Sequence, residues 1–152
     1  MAQEKIQLAL NTQIANWHTL YVKLHNYHWY VKGPHFFTLH EKFEELYNEA
    51  AATIDELAER LLTIQGFPVA TIKEYMQLTT LKEGDKTMCA HDMVRDLISD
   101  YDQIASELQD GITICDSLDD PGTEDLFISL KGTIEKHTWM LRAFVKDTHA
   151  SQ

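Results

Sequence analysis

Apolar residues recur at steps of three and four along most of the chain, the spacing that lines one face of an α-helix. In the first stretch Leu10, Ile14, Trp17, Tyr21, Leu24, His28 and Val31 share a face. Gly33-Pro34 ends that helix and opens a second, whose stripe is Phe36, Leu39, Phe43, Leu46, Tyr47, Ala50, Ile54, Leu57, Leu61 and Ile64. Gly66 and Pro68 stop it. Between Phe67 and Lys86 the pattern loosens, with one short amphipathic piece from Thr71 to Leu78. A third helix is expected from about Thr87 to Leu118 on Val94, Leu97, Tyr101, Ile104, Leu108, Ile112 and Cys115, weakened locally by Gly111. Pro121-Gly122 breaks the chain, and Thr123 is the expected N-cap of a fourth helix built on Leu126, Phe127, Leu130, Ile134, His137, Leu141 and Phe144. No strand pattern, repeat or low-complexity tract is visible. The long second connection suits a crossover between two helical hairpins. The expected fold is all-α: one domain over residues 1–152, a four-helix bundle with a short helix in its crossover.

Bulk properties narrow the function. The chain of 152 residues is long enough for a real core, and its net charge of −11 disfavours nonspecific attraction to nucleic acid or anionic membrane. No apolar run approaches the roughly 18 residues of a membrane span. Met1 to Lys5 lead straight into a helical pattern without a signal-peptide stretch, so a cytoplasmic protein is expected. Cys89 and Cys115 lack a Cys-x-x-Cys spacing and read as buried, reduced thiols.

The second helix carries the chemistry. His40, Glu44, Asp55 and Glu59 fall at about 0°, 40°, 60° and 100° around it, on one arc. Yet His40 and Asp55 lie roughly 22 Å apart along the axis, too far for one ion to touch both. Either the arc holds two half-sites or a second copy of the helix completes one. Two copies crossing antiparallel about a two-fold axis bring together positions whose residue numbers have a constant sum. His40 with Glu59, Glu44 with Asp55, Phe37 with Leu62 and Asn48 with Ala51 all share one sum. A self-complementary patch is what a two-fold contact requires. Ala50, Ala51 and Ala52 at the centre are small enough for close approach. The bland reading, a solvated charged face, leaves Phe37 and Leu62 unexplained.

His28 and His40 flank the Gly33 turn at similar distances, so a hairpin sets their imidazoles side by side. Alone, His28 on its apolar seam would be a core histidine. Facing Asp55 and Glu59 of a second copy, with Glu44 close by, it becomes a ligand. Two imidazoles with two or three carboxylates suit Fe(II), Mn(II) or Zn(II), and the oxygen donors suffice for a second bridged position. A paired site supports two-electron chemistry in which two Fe(II) ions reduce one peroxide. Trp29, beside His28, reads as packing. None of the eight histidines has a glutamate three residues before it, so the Glu-x-x-His centre of ordinary di-iron bundles is not available. His18 and His25 share a face of the first helix and read as interfacial; His35, His91, His137 and His149 have no evident ligand partner.

Between Arg95 and Lys131 there is no basic residue, while ten acidic ones occur. Such a stretch is either a solvated face or a funnel concentrating cations. Asp116, Asp120 and Asp125 flank the turn into the fourth helix, where symmetry copies would form a ring.

The segment Asn26 to Pro34, then Phe36 to His40 and Asp55-Glu56-Leu57-Ala58-Glu59-Arg60, resembles the Dps family of mini-ferritins, and the likeness extends to Lys136-His137-Thr138-Trp139-Met140. The resemblance implies a ferritin-like four-helix subunit in a hollow dodecamer, with di-iron ferroxidase sites at two-fold interfaces. His28 and His40 would bind iron from one subunit, Asp55 and Glu59 from the other, with Glu44 auxiliary and zinc able to replace iron. It implies oxidation of Fe(II), preferably by hydrogen peroxide, storage of ferric mineral, and indirect protection of DNA. Asp116, Asp120 and Asp125 look like the lining of three-fold entry pores. The alternative is a nucleoid-associated protein that protects DNA by binding it. Lysine-rich tails supply the phosphate contacts of DNA-condensing relatives. Here only Lys5 precedes the first stripe and Lys146 to Gln152 hold one lysine, so direct DNA binding is not expected near pH 7.

Overall fold

The computed structural model describes residues 2–146, all in helices or their connections; His149 and the residues after Lys146 lie outside the described range. Five helices run in the order α1 (Ala2–Tyr30), α2 (Phe36–Thr63), α3 (Ile72–Leu78), α4 (Ala90–Ser117) and α5 (Pro121–Lys146). The element set is the expected one, and α3 is the short helix in the crossover. The chain forms two compact units, residues 1–90 and 91–152.

In the first unit, α1 packs against α2 and α3. The apolar seam of α1 is buried through Leu10, Ile14, Trp17, Leu20, Leu24 and Tyr27, and that of α2 through Leu39, Phe43, Leu46, Ala50, Leu57 and Leu61. Ala50 therefore turns into the core, leaving Ala51 and Ala52 on the outward arc. Gly33 takes a φ of 111°, a left-handed conformation that a β-carbon would disfavour, and so permits the tight return into α2. At the far end of α2 the left-handed residue is Gln65, not Gly66: the Gly66 amide donates to the Leu61 carbonyl and the Gln65 amide to Leu62. Gly66 is needed for a different reason, since a β-carbon there would run into Leu61 and Gln7.

The crossover is stitched to α1 by two asparagines. Asn11 accepts from the Val69 amide at 2.9 Å and donates to the Phe67 carbonyl at 3.2 Å. Asn16 accepts from the Thr80 amide and the Thr79 hydroxyl and donates to Thr80 Oγ1. These bonds satisfy backbone groups that a long connection would otherwise strand. Helix α3 starts on a capping box: Thr71 accepts from the Glu74 amide, and the Glu74 carboxylate accepts from the Ala70 amide and the Thr71 hydroxyl. Those bonds hold the Glu74 carboxyl below its usual range, the Ala70 amide contributing most. No residue of α3 is buried, and its Tyr75 ring stacks on His18 at 3.9 Å.

In the second unit α4 and α5 form a tight hairpin. Asp119 adopts a left-handed φ of 57°, and the Asp120 amide closes back on the Cys115 carbonyl at 2.9 Å. The expected N-cap, Thr123, is displaced by Asp120, which lies one residue before Pro121 at the first helical position. Asp120 Oδ1 accepts from the Thr123 amide at 3.1 Å and Oδ2 from the Thr123 hydroxyl at 2.7 Å. Proline has no N–H to satisfy and suits that first position, which fixes the start earlier than the stripe suggests. Gly111 does not interrupt α4: it is buried, and a β-carbon there would sit 2.8 Å from the Phe127 ring. Cys115 is buried as expected, but Cys89 is exposed, because it precedes α4 instead of lying on its seam.

Candidate metal centre

The site begins where α1 ends. The last carbonyls of a helix have no intrahelical partner. The carbonyl of His28 is one of these, and His40 Nδ1 donates to it at 2.7 Å. In return His28 Nδ1 donates to the His40 carbonyl at 2.6 Å. The two imidazoles stack with centroids 3.7 Å apart and planes 12° from parallel. A carbonyl oxygen can only accept, so both Nδ1 atoms carry a proton, and in the neutral rings the lone pairs then lie on the two Nε2 atoms. Metal-binding histidines are prepared in this way, with the distal nitrogen tied to a carbonyl that fixes tautomer and ring orientation.

Aromatic rings bracket the pair. Phe36 stacks on His40 at 4.9 Å. Tyr47 meets His28 nearly perpendicularly at 5.3 Å, and His25 stacks on Tyr47 at 3.9 Å. His25 is itself tied through Nδ1 to the Tyr21 carbonyl at 2.9 Å. Partial burial, then Glu44 and Tyr21, push the Tyr47 phenol above its usual value, so it stays neutral beside the acidic arc. Sequence reasoning did not single out Tyr47, and left His25 as merely interfacial. The signal was present: His25 lies one turn before His28, and Tyr47 is on the α2 stripe near its height. Trp29 is 66% exposed, and its ring packs against His25 with centroids 5.2 Å apart.

The other residues of the arc stand apart from the imidazoles. Glu44, Asp55 and Glu59 are exposed on α2. Phe37 is 85% and Leu62 57% exposed on the same face. Among the described residues no group of three or more histidine, cysteine or acidic side chains comes close enough to hold an ion. One chain thus brings together His28 and His40 but not the acids. Of the remaining histidines, His91 stacks on Phe144 and His137 tilts against Tyr101, both packing roles.

Of the three turn carboxylates, Asp116 and Asp125 are exposed, whereas both oxygens of Asp120 are engaged with Thr123. Asp102, in the same acidic stretch, is paired with Arg142 at 2.7 Å. No helix among the described residues is long and apolar enough to cross a membrane.

Residues 7–150 match the Ferritin-like domain family. The chain is 51% identical to General stress protein 20U of Bacillus subtilis, over 95% of this chain and 99% of that one. It is 52% identical to DNA protection during starvation protein 2 of Bacillus anthracis, over 90% and 93%. The crystal structure of a Dps protein from Bacillus brevis superposes with a TM-score of 0.93 at 46% identity, covering 95% of this chain and 97% of that one.

Proposed function

Because the chain belongs to the ferritin-like proteins, in their Dps family, and shares their four-helix-bundle fold, we propose that it oxidises and stores iron at sites completed between two copies. On this reading residues 1–152 are a single ferritin-like domain. His28 and His40 of one copy and Asp55 and Glu59 of a second bind Fe(II), with Glu44 at the edge of the second metal position. Two Fe(II) ions give one electron each to one hydrogen peroxide, which with two protons leaves as two waters. The ferric product is held inside a hollow dodecamer in the cytoplasm. Consuming Fe(II) and peroxide together removes both reagents of hydroxyl-radical production, so DNA is protected without being bound.

The observation that carries the reading is the reciprocal Nδ1-to-carbonyl pairing of His28 and His40. It leaves two adjacent Nε2 lone pairs with no acid of the same chain to meet them. The exposed Phe37 and Leu62 on the acidic arc are the apolar surface that a second α2 would cover. Asp116 supports the pore assignment. It sits in the last turn of α4, where the helix dipole disfavours a negative charge, so helix stability gives no reason for it.

The test replaces His28 and His40 by glycine together. Assembly should survive, as read by sedimentation, while peroxide-driven Fe(II) oxidation falls by roughly 10-fold or more. Unchanged oxidation would remove the site from consideration.

A further inference from the structure

The pairing of His28 with His40 has a weakness that the surrounding rings repair. Each imidazole is tied to the other's backbone through one nitrogen only, and a single hydrogen bond leaves each ring able to tilt about that contact. Phe36 blocks one direction, lying on the outer face of His40 at 4.9 Å with planes 20° apart. Tyr47 bounds His28 itself, its ring edge-to-face at 5.3 Å and 86°. Tyr47 is held in turn by His25, stacked on it at 3.9 Å, and by the edge of Tyr21 at 6.1 Å. Tyr21, His25 and His28 follow one another along one face of α1, so a single helix carries both the ligand and the clamp on its buttress.

Resting on the metal reading of His28 and His40, we propose that Tyr47, clamped by His25, is a positioning residue that fixes the direction of the His28 Nε2 lone pair. The ring, not the hydroxyl, does this: among the described residues the Tyr47 hydroxyl makes no hydrogen bond, and the contact with His28 is edge-to-face. Core filling does not explain the residue, because Tyr47 is only half-buried, at the rim of the acidic arc, where an aliphatic side chain would cover the same surface. What an aliphatic side chain lacks is a flat wall. Without one the His28 ring can tilt until its Nδ1 bond to the His40 carbonyl breaks, then move its proton to Nε2 and lose the geometry that aims it at an ion.

The assembled protein carrying Tyr47→Leu or Tyr47→Phe tests this with two readouts. The first needs no metal: the ¹⁵N shifts of the His28 ring in metal-free protein report which nitrogen is protonated. The second is Co(II) affinity, with His28→Gly as the reference for a lost ligand. Tyr47→Phe should match the parent in both. Tyr47→Leu should mix the two tautomers and weaken Co(II) binding about 10-fold, and His25→Ala should do the same to a smaller degree. Retention of the Nδ1–H form and of Co(II) affinity in Tyr47→Leu would overturn the proposal, as would equal losses in Tyr47→Phe, which would assign the effect to the hydroxyl. If Tyr47→Leu scrambles the tautomer while His28→Gly leaves Co(II) binding intact, the positioning role stands and the metal reading fails.

Discussion

Asp120 shows how one carboxylate can be claimed by two tasks. Its oxygens cap α5 through the amide and hydroxyl of Thr123, and its position beside Asp116 suits a ring of acids. Substitution separates the tasks. Asp120→Ala removes the cap and should cost about 1 kcal/mol, seen as a lower melting temperature. Asp120→Asn keeps an oxygen for the Thr123 amide and should melt close to the parent. If Asp120 also draws cations inward, Asp120→Asn alone will slow Fe(II) uptake; normal uptake would leave it a cap only. At this scale the sequence was partly legible. The side-by-side placement of His28 and His40 follows from their similar distances to Gly33, but the carbonyls that fix their tautomers do not, because they depend on where α1 stops. Thr123 carried a capping residue's chemistry, yet Pro121 set the helix start and gave the cap to Asp120.

Elements were legible where periodicity is long, and their special residues were not. A glycine inside a helical stripe reads as a weak point, whereas Gly111 is the place where the Phe127 ring lies against the backbone of α4. Gly111→Ala gains about 1 kcal/mol of helix propensity but overpacks the ring at a cost of about 1–3 kcal/mol, so a net loss is expected on melting. Gly132→Ala, in α5 with open space around the new β-carbon, should instead stabilise by about 0.5–1 kcal/mol. Equal effects at both sites would refute the packing argument. The crossover's stitching by Asn11 and Asn16 was invisible, since long-range side-chain bonds to backbone leave no periodic trace. Helix α3 has a further dependence on acid. Burial pushes His18 below its ordinary 6.5, so its contribution is whole above that value and is lost as pH falls from 6.5 toward the folded value. The Glu74 carboxyl is lowered from 4.5; its contribution is whole above 4.5 and is lost only as pH falls through the lower folded value. Hydrogen exchange corrected for intrinsic rates should show residues 72–78 losing protection between pH 7.5 and 5.5 before α1 does. His18→Gln should abolish that step, and a step that persists would assign it elsewhere.

On the scale of the whole molecule, the constant-sum pairing along α2 is a proposal drawn from sequence, because a two-fold axis would impose an arithmetic on residue positions. The isolated chain gathers the imidazoles, leaves Asp55 and Glu59 exposed, and presents Phe37 and Leu62 bare on the same arc. Ala50 departs from the expectation, being core, so in the proposed contact close approach at the centre would fall to Ala51 and Ala52. The central claim is that two chains share each oxidation site, and mixing tests it directly. A His28→Gly/His40→Gly chain and an Asp55→Asn/Glu59→Gln chain, each inactive alone, are unfolded together and reassembled in equal amounts. Shared sites predict that about one quarter of parental peroxide-driven Fe(II) oxidation returns, since half the pairs are mixed and each mixed pair regains one of its two sites. A mixture that reassembles yet stays as inactive as its parts would contradict the account.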